Sequence, residues 1–182
     1  MMRFKDLGDY RPDENNAGRY RYEGAYYIPQ VSGKALRLHK WKLMLLSLAP
    51  LLIIYLMGRL NTAGFRQLYV LLPFLALMFY SGRAAIGAFS MLLWKERMTQ
   101  REYQQSFSMM QSGFRAAPFA SGAMLIAILL FFFFGGKPSE EWPQFPLAAA
   151  LAGLDFAALR LCEKLGVVRR EQASGREGSD AL

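Results

Sequence analysis

Two ionisable side chains lie inside long apolar stretches of this sequence. Arg83 stands in the middle of LALMFYSGRAAIGAF, and Asp155 interrupts the small-residue run FPLAAALAGLDFAALRLC. A charge inside a bilayer is costly unless it is paired or hydrated, so such residues usually have a partner or a function. The opposite signs predict an ion pair between two helices, with Tyr80 about one turn from the arginine.

Three roles are open for this predicted pair. It could only fix the register of two helices, it could line a path for a substrate or an ion, or one of the charges could pair with a different subunit. Arginine stays protonated at every accessible pH, so Arg83 cannot itself carry protons.

The sequence contains no recognisable catalytic motif. The sequence has no nucleotide-binding, zinc-protease or serine-hydrolase motif. His39 is the sole histidine and Cys162 the sole cysteine, so a histidine pair or a CxxC motif is ruled out. We therefore expect a protein that is not an enzyme, with no catalytic residues, no cofactor and no metal site.

Composition and hydropathy indicate which elements must position Arg83 and Asp155. The chain has 182 residues, 53% of them hydrophobic, and a mean hydropathy of +0.12. A membrane-spanning helix needs about 20 apolar residues. The sequence predicts an all-α, polytopic four-helix transmembrane bundle, residues 42–165, whose spans cover about 42–58, 68–94, 116–135 and 145–165.

Both charges fall on small-residue faces of their predicted spans. In the second span Pro73, Ala76, Tyr80, Arg83, Gly87, Ser90 and Trp94 form one stripe. In the fourth span Ala148, Ala152, Asp155, Leu159 and Cys162 form another. Small residues favour close helix contact. At 1.5 Å per residue Arg83 lies about 16 Å, and Asp155 about 14 Å, from the inner end of its span.

The distribution of lysine and arginine predicts how the chain is threaded. Seventeen of them flank the spans on one side, and three lie on the other. Positive charges near span ends are retained in the cytoplasm. We expect a multi-pass protein of a bacterial cell membrane with both termini cytoplasmic. The same bias and an affinity for anionic head groups explain the net charge of +8, so no nucleic-acid binding is expected.

The segments outside the spans carry further predictions. Residues 1–41 form a basic, aromatic-rich cytoplasmic segment in which RYRYEGAYYI is either a short hairpin or irregular chain. Residues 166–182 are expected to be a polar, disordered cytoplasmic tail. Basic and aromatic side chains before the first span are predicted to contact lipid head groups. These are Lys34, Arg37, Lys40, Trp41 and Lys42.

A short cytoplasmic amphipathic helix is predicted between spans two and three. Thr99 and Glu102 have the spacing of a capping box, and Gly113 is a natural helix terminator. One face of this helix is apolar and consists of Tyr103, Phe107, Met110 and Phe114. Either this face packs on the protein's own N-terminal segment and on lipid, or it is a docking helix that binds another protein.

These observations favour a small scaffold, assembly or regulatory subunit of a membrane complex such as a transporter. Its partner would be another membrane or membrane-associated protein, or further copies of the chain. The alternative is a small oligomeric transporter or channel for a polar or anionic solute, with Arg83, Asp155 and Tyr80 lining the route.

Overall fold

Four long helices dominate the structure. The computed structural model describes residues 10–12, 20–22, 24–60, 63–93, 97–134 and 142–170. This part of the chain is mostly helical, and four of its helices are long and apolar enough to cross a membrane. They are α1 (Gly33–Leu60), α2 (Leu68–Leu93), α3 (Gln100–Phe134) and α4 (Gln144–Leu165). Each predicted span falls on one of them, so the mostly helical class and the four candidate spans are confirmed.

Four short strands accompany the helices. They are β1 (Tyr10–Pro12), β2 (Tyr20–Tyr22), β3 (Tyr26–Pro29) and β4 (Val167–Arg170). β1 pairs antiparallel with β2, and β3 pairs antiparallel with β4. The hairpin considered for RYRYEGAYYI would have joined β2 to β3, so neither that hairpin nor a wholly irregular segment is what forms.

The pairing of β3 with β4 brings distant parts of the chain together. β3 precedes α1 and β4 follows α4, so the start of α1 and the end of α4 lie at the same end of the bundle. The predicted disordered tail is therefore wrong for residues 167–170, which form a strand because β3 supplies their backbone partners. The remainder of that tail, residues 171–182, lies outside the described residues.

The chain between α2 and α3 joins the same end. The backbones of Tyr27 and Met98 exchange two hydrogen bonds, of 2.8 and 3.0 Å. The ring of Tyr27 stacks on that of Tyr103, with ring centres 4.1 Å apart and planes 11° from parallel. We call β3, β4 and Met98 the terminal cap, and the end of the bundle that carries it the cap end.

The predicted short helix between spans two and three is part of α3. The Thr99–Glu102 capping box is confirmed: Glu102 Oε2 accepts from the Thr99 backbone nitrogen at 2.8 Å, and Thr99 Oγ1 accepts from the Glu102 nitrogen at 3.4 Å. The helix then continues, through a π-helical turn at Gln104–Ser108, to Phe134. The predicted end at Gly113 is wrong.

A close contact between α2 and α3 explains the role of Gly113. A methyl group added at Gly113 would lie 2.7 Å from the Ala84 backbone nitrogen, and one added at Gly87 would lie 2.5 Å from that of Met110. Real side chains almost never approach backbone so closely. Glycine is needed here for the two backbones to approach, a role that small residues often have between membrane helices.

The four helices form a ring in which each packs on two others. α1 contacts α2, α2 contacts α3, α3 contacts α4, and α4 contacts α1; the α2–α3 contact is the most extensive. α2 and α4 therefore face each other diagonally across the bundle. This arrangement decides which polar side chains can meet.

Buried apolar side chains form two clusters along the bundle axis. The cap-side cluster lies near the terminal cap, and the distal cluster lies toward the other end. The cap-side cluster comprises Leu36, Leu43, Ala84, Ala88, Met91, Phe107, Met110, Phe114, Ala158, Cys162 and Leu165. The distal cluster comprises Ile54, Met57, Val70, Phe74, Leu77, Ala120, Met124, Ala127, Ile128, Phe131, Ala148 and Leu151.

Candidate functional site

A layer of buried polar side chains separates the two clusters. Each helix contributes one, at the boundary between the residues that it gives to the cap-side and distal clusters, and each is at most 3% exposed. We call this set the polar layer. Its members are Ser47, Ser81, Ser121 and Asp155.

The hydrogen bonds of the polar layer are incomplete within the described part of the chain. Ser47 Oγ donates to the Met44 carbonyl at 2.7 Å, as serines on helices often do. Ser81 Oγ and Asp155 Oδ2 are buried without a hydrogen-bond partner among these residues. An unsatisfied buried polar atom costs about 1–3 kcal/mol, so neither atom is buried without cost.

Ser121 is the residue that contacts the Asp155 carboxyl group. Its hydroxyl lies within reach of that group and donates to the Pro118 carbonyl at 3.2 Å. A hydroxyl has one proton, so it can serve only one of these acceptors at a time. A carboxyl group with an unpartnered oxygen can take up a proton or bind a small cation.

The predicted contact between Arg83 and Asp155 is not seen. Arg83 is exposed, and its Nε donates to Ser112 Oγ on α3 at 2.9 Å. Asp155 is 1% exposed and lies on α4. The order of the helices in the ring explains why the two side chains do not meet. α2 and α4 lie diagonally opposite each other, whereas α3 is adjacent to α2 and carries the serine that Arg83 contacts.

The buried face of α2 also differs from the predicted stripe. Of that stripe, Gly87 is buried, whereas Arg83 is exposed and Tyr80 is half-buried against the distal cluster. The face that packs inward is rotated by about one residue and consists of Val70, Phe74, Leu77, Ser81, Ala84, Gly87, Ala88 and Met91. For α4 the predicted positions Ala148, Asp155 and Cys162 are buried.

Basic side chains surround the bundle near the polar layer. Each of the four helices has one exposed lysine or arginine close to the distal edge of the cap-side cluster. Each also lies two to six residues from the buried polar residue of its own helix, on the cap side. We call these residues, Lys42, Arg83, Arg115 and Arg160, the basic belt. Arg83 is thus one of four cations that lie about 3–9 Å from the polar layer along the helix axes, and not an isolated charge.

The apolar face predicted for docking is occupied by this chain. Phe107, Met110 and Phe114 are at most 3% exposed and belong to the cap-side cluster. Tyr103 packs against that cluster and stacks on Tyr27. Packing on the protein's own segments is the alternative that agrees with the structure, since Phe107, Met110 and Phe114 are buried and Tyr103 is half-buried.

The residues predicted to contact head groups lie on the first turns of α1, whose helix begins at Gly33 and not at Lys42. Lys34, Arg37 and Lys42 are exposed, and the Trp41 ring is 51% exposed. Lys40 is half-buried. Their contact with lipid stays a prediction.

Sequence reasoning missed the three serines of the polar layer. Each stands in an apolar helix, where a single hydroxyl hardly changes hydropathy. A usable signal existed, because Ser47, Ser81, Ser121 and Asp155 each stand at least five residues from either end of a predicted span. Among the residues that the structure describes, no group of three or more histidine, cysteine, aspartate or glutamate side chains could hold a metal ion.

The chain was compared with models of protein families, with curated protein sequences and with solved structures, and none of the three comparisons finds a match.

Proposed function

We propose that the protein is a non-enzymatic scaffold, assembly or regulatory subunit of a membrane complex, such as a transporter, in a bacterial cell membrane. The observation that carries this proposal is an apolar face of α2 that continues past the basic belt. Two features support it: the position of the membrane boundary along the helices, and the exposed apolar residues of α2 beyond that boundary.

The charge-free part of α3 locates the membrane boundary. Residues 116–134 carry no charged side chain and are about 28 Å long, close to the roughly 30 Å of a hydrocarbon core. Arg115 then lies at one membrane boundary, and the rest of the basic belt lies close to the same level. Because positive charges are retained inside the cell, this boundary is the cytoplasmic one and the terminal cap is cytoplasmic.

Exposed apolar residues continue along α2 beyond Arg83. Ile86 and Phe89 are each 58% exposed, and Leu93 is 71% exposed. Leu93 lies about 15 Å past Arg83 along the helix, well outside the hydrocarbon. We call these three residues the α2 apolar face. Exposed apolar residues in a row, rimmed by polar ones, are typical of a protein interface.

A helix from another subunit is the partner that suits this face. Spacings of three and four residues form a straight apolar ridge, which is how one helix presents itself to another. Arg83 borders the ridge and would add a polar contact at its rim. The partner is a membrane or membrane-associated protein that reaches the cytoplasmic boundary, and a second copy of the chain is the competing outcome.

Site-specific photocrosslinking in native membranes tests the proposal. A photoreactive amino acid at Phe89 should crosslink to a protein other than this chain. The same group at Phe133, which is 73% exposed at the distal end, is the matched control and should yield mainly lipid adducts. Adducts between two copies from Phe89 would support self-association, and an absence of protein adducts would refute the subunit role.

Substitution of the ridge tests the same contact by affinity. I86S with L93S should release the partner captured at Phe89 during mild-detergent purification. The control is L45S, which alters a residue that is 61% exposed on α1. If both variants retain the partner equally, the α2 apolar face is not the interface.

The second candidate is a small oligomeric transporter, and the polar layer favours it. A carboxyl group with an unpartnered oxygen inside a membrane bundle is the usual mark of a proton or cation path. Arg83 does not reach Asp155, so the version that uses both residues for an anionic solute has lost its support. Tyr80 is half-buried and packs against the distal cluster.

Proteoliposomes distinguish the two candidates. Purified protein alone should move protons or a small cation if it is a transporter, and D155N should abolish that flux while R83Q leaves it intact. A subunit without transport activity should show no flux in any of these preparations, and D155N should retain its crosslinked partner.

A further inference from the structure

A groove on the surface of α3 lies at the level of the basic belt. Its volume is about 430 Å³, within the roughly 300–1,000 Å³ of small-molecule clefts. It opens to the outside of the bundle and has no part in the polar layer. The groove is lined by Ser108, Gln111, Ser112, Arg115, Ala116 and Phe119.

Two of the four belt cations meet at this groove. Arg115 lines it directly, and Arg83 reaches it from α2 by donating its Nε hydrogen to Ser112 Oγ at 2.9 Å. Ser112 is itself held by the Met109 carbonyl, to which its hydroxyl donates at 2.9 Å. The bond at Nε orients the guanidinium and leaves its terminal nitrogens as further donors.

The described residues supply no carboxylate to these two arginines. The ion pair found in this part of the chain is Arg160–Glu163, at 3.8 Å, on α4. The groove lining contains arginine, serine and glutamine, with no acidic side chain. Two guanidinium groups with hydroxyl and amide donors between them form an anion-binding surface.

The groove is polar at one end and apolar at the other. Ser108, Gln111 and Ser112 lie toward the terminal cap, whereas Ala116 and Phe119 lie toward the distal end. Phe119 is 80% exposed and continues the groove along the apolar part of α3. A head group at the first end would place an acyl chain against the second.

We propose that this groove binds an anionic phospholipid whose phosphate is held by Arg83 and Arg115, with an acyl chain against Phe119. Basic pockets at the cytoplasmic ends of membrane helices bind such head groups by this chemistry. The exposed phenylalanine commits the site to a lipid, because a free phosphate ion would have no use for an apolar extension. The inference does not depend on the proposed subunit role.

Native mass spectrometry of the detergent-purified protein tests the site. Phosphatidylglycerol should bind in a discrete stoichiometry and at least about tenfold more tightly than phosphatidylcholine. R83Q and R115Q should each weaken phosphatidylglycerol binding about tenfold. R83K should weaken it less than R83Q, because lysine keeps the positive charge although it lacks the paired donors of a guanidinium group. The matched control is R160Q, which removes a belt cation that pairs with Glu163.

Each other outcome would overturn the proposal. Equal binding of the two lipids would show no selectivity for an anionic head group, and an equal loss in R160Q would show a general attraction to the belt. Displacement of the lipid by millimolar inorganic phosphate, with F119S unchanged, would identify a free-anion site. If R83Q does not give a folded, monodisperse protein, R115Q carries the test, since Arg115 is exposed and outside both clusters.

Discussion

The cap-side and distal clusters are buried equally well, but they are held together by different forces. In the frame proposed above, the cap-side cluster lies mostly beyond the basic belt, where water surrounds it. The distal cluster lies in hydrocarbon, where leaving the bundle does not expose a side chain to water. Hydrophobic transfer therefore stabilises the first cluster, and packing alone stabilises the second.

The comparison explains where small residues and hydrogen-bonded strands occur. Gly87 and Gly113 bring α2 and α3 together at the cap-side cluster, and the terminal cap closes that end with backbone hydrogen bonds. In the proposed frame, the cap end is built like a small water-soluble domain joined to a membrane bundle.

The largest difference is expected between two phenylalanines of α3. Phe107 is 3% exposed in the cap-side cluster, and Phe131 is 4% exposed in the distal cluster. F107A should lower the free energy of unfolding by about 3–5 kcal/mol, and F131A by about half as much. The difference is expected because unfolding moves Phe131 into lipid and not into water, so no hydrophobic transfer free energy is lost there. Denaturation by SDS in bicelles, followed by circular dichroism, measures both. Equal losses would remove the distinction between the clusters.

The next effect concerns the close approach of α2 and α3. G113A should cost about 1–3 kcal/mol, because the added methyl meets the backbone of Ala84. G122A, on the same helix where the added carbon meets nothing within 4 Å, should instead stabilise by roughly 0.5–1 kcal/mol. The same denaturation assay applies. A neutral G113A would mean that the two helices can separate without cost.

Loss of the capping box should have a smaller and local effect. T99A removes the hydroxyl that accepts from the Glu102 nitrogen and should cost about 1 kcal/mol. Hydrogen exchange should speed up in the first turn of α3 and stay unchanged at residues 116–134. T99S keeps the hydroxyl and should behave like the unchanged protein. Faster exchange throughout α3 would contradict a local role.

The smallest effect is the coupling within two aromatic pairs. Tyr27 and Tyr103 stack in the terminal cap, and Phe65 and Phe74 meet edge to face near the distal cluster, with ring centres 4.7 Å apart. Double-mutant cycles with leucine should give about 0.5–1 kcal/mol for each pair. Similar couplings are expected because ring geometry matters here more than transfer from water. A coupling near zero in the cap would mean that its strands alone hold that end.

The helices themselves were predictable from sequence because apolar length is a local property. Four apolar runs gave four helices, and the Thr99–Glu102 spacing gave the start of α3. One predicted boundary, the helix end at Gly113, is wrong for a reason that is not local. Gly113 reads as a helix end in isolation, and only the approach of α2 shows why it lies inside α3.

The candidate site divides in the same way. Hydropathy alone identified Arg83 and Asp155 as unusual, since a charge in an apolar run needs no structure to be noticed. Their neighbours were decided by the order of the helices around the ring. Arg83 donates a hydrogen bond to Ser112, and Asp155 lies beside Ser121. A one-residue error in the inward face of α2 was enough to suggest the wrong pair, because one residue turns a helix by about 100°.

By itself, the sequence determined four apolar helices, the residues able to carry charge among them, and the concentration of basic residues on one side. The tertiary structure alone decided that the serines form a layer with Asp155, that Arg83 belongs to a belt, and that strands from both ends of the chain meet. The physical reason is that apolar length and charge belong to each segment, whereas neighbours across a bundle depend on how four helices pack together.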